Sequence, residues 1–159
     1  ISDSLQPIIS KNFGAKENKR IEEFLKLAFI TTGLVGVVMI LLIIFTPNTL
    51  ANIFLEDTNY KTKQIVLSFA TFIWIAFLFN GINLVISAYL TAIHKPLASM
   101  IIAVSRSFIF PIFFIFTLPF FFNLNGIFMA IPMAEFMTFI IAVILFKNFS
   151  PRKIIYKEV

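Results

Sequence analysis

Residues 65–93, IVLSFATFIWIAFLFNGINLVISAYLTAI, run for 29 positions without a formal charge. A helix crosses a bilayer with about 20 consecutive apolar residues, so this stretch is long enough to span one with some tilt. The rest of the chain agrees with it. Of 159 residues, 59% are hydrophobic and 13% charged, against about 25% charged in an ordinary soluble domain. Mean hydropathy is +0.95. The fold class that follows is an all-α integral membrane protein.

Working outward, three further apolar runs flank the first. Residues 25–46 (LKLAFITTGLVGVVMILLIIFT) stop at Thr46-Pro47-Asn48, a turn signal. Residues 97–122 are punctuated by Arg106, Pro111 and Pro119, and residues 126–146 carry Pro132 and Glu135. Unbroken apolarity over such lengths favours helices over barrel strands, which alternate over about 10 residues. Four transmembrane helices in an antiparallel bundle are expected, the last three as close neighbours because their linkers are short. Residues 1–24 and 147–159 are basic flanks. Residues 47–64 form a loop with room for a short interfacial helix capped by Asn48 or Thr49.

Charge sets the expected orientation. Of the thirteen Lys and Arg residues, ten fall in the first, third and last flanking segments and two, Lys61 and Lys63, in the 47–64 loop. Arg106 lies inside a span. Basic residues collect on the cytoplasmic side, so both ends of the chain are expected there. The net charge of +5 then needs no nucleic-acid partner; lipid is the expected surroundings. With no cysteine, neither a disulfide framework nor a thiolate metal site is available. The chain opens on Ile1 and lacks the basic and apolar segments of a signal peptide; it is expected to be a piece of something longer.

Two charges lie within the spans, Arg106 and Glu135. Each is unfavourable by about 2.5–3.5 kcal/mol at a helix centre. Helical rise puts both roughly 13 Å from opposite membrane edges on consecutive antiparallel spans, close to one level. They are expected to form an ion pair. Two roles stand for it: a lock between helices, or a carboxylate that titrates while facing a polar cavity. Pro111 and Pro132 remove backbone donors beside these charges and are expected to bend their helices. Asn80, Asn83 and Ser87 make an i, i+3, i+7 polar stripe that either lines a cavity or bonds a neighbouring helix. Gly33 and Gly36 suit close packing. Trp74 and the 22 Phe residues are packing or lipid-facing material. No phosphate-binding loop, nucleophile elbow or metalloprotease pattern occurs, so no enzyme activity and no cofactor is expected.

Four stretches in order carry a family resemblance. QPIISKNFGAKENKR (6–20), FNGINLVISAYLTAIHKP (79–96), RSFIFPIFFIFTLP (106–119) and NGIFMAIPMAEFMT (125–138) resemble the multidrug and toxic compound extrusion (MATE) transporters. His94 stands where that pattern has glycine. Locally, Gln6-Pro7 ends or bends a helix and Asn12-Phe13-Gly14 makes a turn. The resemblance implies that residues 1–24 hold the end of a preceding helix, and that the chain is the last third of a twelve-helix, two-lobe transporter. It implies export of small cationic amphipathic compounds across the cell membrane, in exchange for H+ or Na+, together with the missing remainder of the transporter. A lipid-linked oligosaccharide flippase of the same superfamily is the alternative, and an inactive membrane fragment or scaffold the contrasting class. Glu135 is the expected coupling or cavity carboxylate, Arg106 its counter-charge, Asn80 and Asn83 cavity residues, and Gln6 and Pro7 the helix end nearest the cytoplasmic gate.

Overall fold

A computed structural model describes residues 2–54 and 60–151, and those residues contain helices and turns with no strand. The helices are α1 (Ser2–Gly14), α2 (Asn18–Phe45), α3 (Pro47–Phe54), α4 (Tyr60–Ala92), α5 (Pro96–Val104), α6 (Phe110–Thr117), α7 (Pro119–Phe122) and α8 (Leu124–Asn148). A π-helical turn, Ser105–Ile109, joins α5 to α6, so Pro96–Phe122 forms one broken span. With α2, α4 and α8 this gives four segments long and apolar enough to cross a membrane. At about 1.5 Å per residue each exceeds the ~30 Å of hydrocarbon. Glu56, Asp57, Arg152, Lys153 and Lys157 lie outside the described residues.

α4 is the hub. It packs against α8 and α2, and more narrowly against α1 and α5, while α6 packs on α8. The larger apolar cluster joins Leu5 and Ile9 of α1, Ile21 and Leu25 of α2, Ile86, Tyr89 and Leu90 of α4, Ile102 and Ala142. It sits where the C-terminal ends of α4 and α8 meet the α1–α2 turn, the end that carries most of the basic residues. Tyr89 donates a 2.7 Å hydrogen bond to the Phe149 carbonyl there. A smaller cluster of Phe114, Ala130 and Ala134 lies toward the other end. Lipid removes most of the hydrophobic drive between helices, leaving close packing and polar bonds to hold them. Small residues at the contacts answer that need: a Cβ on Gly36 would lie 3.2 Å from the Phe77 carbonyl, and one on Gly81 3.0 Å from Thr32 Cβ. Gly33, expected to pack closely, meets only open space.

Turn chemistry differs from expectation in two places. α1 runs on through Pro7 to Gly14, because the carbonyl left without a donor is that of exposed Asp3 in the first turn. The chain reverses later, at Lys16. Its φ is +58°, with the Lys16 amide on the Phe13 carbonyl and the Glu17 amide on the Asn12 carbonyl, a Schellman closure. The α4–α5 turn repeats it: His94 has φ +57°, its amide bonds Thr91 and that of Lys95 bonds Leu90. That left-handed position explains why glycine suits the place His94 occupies. α3 forms in the loop, but it starts at Pro47, which presets the first helical φ, so Asn48 and Thr49 lie within its first turn. Between α7 and α8, Asn123 takes φ +50°. A Cβ on Gly126 would fall 2.5 Å from the Leu118 backbone, so that turn closes only around glycine.

Candidate functional site

Three spans converge on Glu135. α8 carries it through unbroken helix, one turn after buried Pro132, and only 5% of the residue is exposed. Its Oε1 accepts Arg106 Nε at 2.7 Å and Asn80 Nδ2 at 3.2 Å. Its Oε2 accepts Asn83 Nδ2 at 2.8 Å, and the same amide nitrogen lies 3.0 Å from the Glu135 backbone carbonyl. The expected ion pair is therefore formed, and both asparagines bond across to the neighbouring helix. Asn80 also borders a groove of about 330 Å³ between α1, α2 and α4, shared with Asp3, Thr32, Gly36 and Phe77.

Arg106 sits in the π turn, where the Phe110 amide reaches back five residues to the Ser105 carbonyl. Pro111 lies two residues past the turn; in a regular helix its ring would press on the carbonyl four residues earlier, and one wider turn relieves that. The expected distortion near Pro111 thus takes the form of a π turn that includes the arginine itself. Arg106 is 27% exposed along its side chain while Glu135 is nearly enclosed. Removing one member of such a pair leaves a buried charge uncompensated, a loss of about 3–5 kcal/mol.

The α4 stripe continues beyond the asparagines toward the basic end. Ser87 Oγ lies 2.9 Å from Ser99 Oγ of α5, and Thr91 Oγ1 donates to Ser99 Oγ at 2.8 Å. Ser99 and Thr91 were not legible as site residues, although Thr91 extends the stripe by one more turn. Thr138, one turn past Glu135 on α8, is fully buried; its Oγ1 and the Oδ1 of Asn83 have no hydrogen-bond partner among the described residues. An i+3 hydroxyl after an intramembrane acid was the available signal. Gln6 and Pro7 stay apart: α1 touches the bundle through Leu5 and Ile9, and Gln6 makes none of the hydrogen bonds around Glu135.

The family model MatE matches residues 1–117. That match takes in Asn80, Asn83 and Arg106, while Glu135 lies beyond it. No curated protein and no solved structure matches the chain.

Proposed function

Since the chain belongs to the MatE family, whose members are membrane efflux transporters and flippases rather than enzymes, we propose that it is the C-terminal part of a secondary active exporter. In this reading the complete protein expels small cationic amphipathic compounds across the cell membrane in exchange for H+ or Na+, with both ends of this segment cytoplasmic. The remainder of the transporter supplies the other lobe. Glu135 is the coupling carboxylate.

The observation that carries this is the enclosure of Glu135 between three spans, bound to Arg106, Asn80 and Asn83 at once. Intramembrane acids are rare and mark ion or substrate routes. Here neutralising the carboxylate removes the counter-charge of Arg106 and turns one of its two oxygens from acceptor to donor, either Oε1 shared by Arg106 and Asn80 or Oε2 held by Asn83. Those bonds tie α4 and the Pro96–Phe122 span to α8, so a change of charge at one oxygen alters the contacts of all three. That is the coupling an alternating-access cycle requires.

Ethidium efflux by the full-length protein tests it. Glu135→Gln keeps the size of the side chain and one acceptor oxygen but fixes its charge at zero. We expect efflux to fall at least tenfold per molecule of folded protein in the membrane, with loss of folded protein marking a structural pair instead. Normal efflux with glutamine removes the coupling role.

A further inference from the structure

Resting on that reading of Glu135, we propose that protons leave it through a hydroxyl chain on the α4–α5 face, bridged by one buried water, toward the basic end of the bundle.

The chain is laid out along the helices. Thr91 is exposed at the last turn of α4 and bonds Ser99, which bonds Ser87. Ser87 lies one turn from Asn83, and Asn83 touches Oε2 of Glu135. Each helical turn advances about 5.4 Å, so the route from Thr91 to Asn83 covers two turns. Hydroxyls both donate and accept, which a proton-passing chain needs.

One gap interrupts it, between Ser87 and Glu135. Two orphan polar atoms lie along that same turn. Asn83 Oδ1 offers an unfilled acceptor, and Thr138 Oγ1, one turn below Glu135 toward the same end, is an unpartnered hydroxyl. Both residues are fully buried. Buried polar groups left without partners are unfavourable, and a water with about three partners is the usual remedy. In this proposal the water takes Asn83 Oδ1, Thr138 Oγ1, Ser87 Oγ and Oε2 of Glu135 as its partners, which closes the gap.

The local chemistry favours a proton over a metal cation as the species moved. Among the described residues, every side chain bonded to the carboxylate presents an N–H donor, so a metal cation would have to displace those donors to reach its oxygens. Arg106, the charged group in contact with Glu135 among those residues, would also repel it. In the step itself, the O–H bond at Oε2 breaks and its proton passes to the bridging water. That water passes one of its own protons to Ser87, Ser87 passes its hydroxyl proton to Ser99, and Ser99 passes its own to Thr91. These transfers follow once the Ser99 and Thr91 hydroxyls turn from the Ser87 carbonyl and Ser99 Oγ that they now donate to. Thr91 then gives its proton to bulk water as hydronium. Glu135 regains the charge that holds Arg106.

The test is proton release by the full-length transporter in proteoliposomes loaded with pyranine, with ethidium transport followed in parallel. Thr138→Val is isosteric and removes only the hydroxyl; Thr91→Val does so at the exposed mouth; Ser87→Ala with Ser99→Ala empties the middle. Each is expected to slow proton release tenfold or more without changing the ethidium concentration for half-maximal transport, and Thr138→Ser to restore release. Wild-type release from Thr91→Val and Thr138→Val overturns the path. So does an equal loss of release and ethidium affinity, which marks a packing role. If Glu135→Gln also releases protons normally, the coupling role falls as well; if it stops release while the hydroxyl variants do not, only the path is lost.

Discussion

Glu135 persists in an apolar bundle because α4 and the Pro96–Phe122 span both supply partners to it, and the same arrangement makes it informative to disturb. Arg106→Leu leaves the carboxylate buried without its cation, whereas Arg106→Leu with Glu135→Leu replaces the pair by apolar groups. Buried pairs exchanged whole are often neutral or stabilising, while halved ones lose about 3–5 kcal/mol. We expect the single variant to unfold at lower temperature in detergent and the double variant to recover most of that loss. Transport should stay absent in the double variant. Recovery of efflux along with stability would assign the pair to helix locking alone. The pairing itself was readable from two charges at matching depth. The bridging asparagines were readable only as a stripe, because a stripe states which residues share a face and not what that face meets.

Helix packing here depends on where small residues fall, and sequence spacing does not settle that. Gly33 and Gly36 differ by three positions in α2, yet only Gly36 meets a neighbouring backbone. The partner contact on α4 is Gly81 against Thr32. Gly33→Ala should be neutral or stabilising by up to about 1 kcal/mol through helix propensity. Gly81→Leu should destabilise by about 1–3 kcal/mol through overpacking. Thermal unfolding of the two purified variants separates these outcomes; equal shifts would contradict the α2–α4 contact. The two intramembrane prolines sit in different local structure. Pro111 is accompanied by a π turn and Pro132 by continuous helix, since a lost backbone donor can be accommodated by widening a turn or by leaving one carbonyl to other partners.

Across the whole bundle, tight packing gathers at the end formed by the Lys16 and His94 turns and the C-terminus of α8, and thins toward the Asn123 turn. Phe120 and Phe121 near that far turn are 87% and 79% exposed. The proposed orientation in the membrane rests on the basic residues at the packed end and is directly testable, because the chain has no native cysteine. In intact cells a membrane-impermeant maleimide should label Asn123→Cys and spare Lys16→Cys, with Lys16→Cys labelled only after the cells are opened. The reverse pattern would invert the proposed topology.

Composition, the charge-free run 65–93 and the placement of lysines were enough to read a four-span helical membrane segment, because crossing hydrocarbon demands length and apolarity and little else. The intramembrane pair was legible too, since an isolated charge is too unfavourable there to lack a partner. Folding settled the remainder: the wide turn at Arg106, the left-handed Lys16 and His94, the Ser87–Ser99–Thr91 chain and the two orphan atoms beside Glu135. The hydroxyl chain and the orphan atoms depend on which faces meet across helices, and periodicity along one helix carries no information about its neighbour. The wide turn and the two left-handed residues are local backbone choices that their side-chain types do not announce.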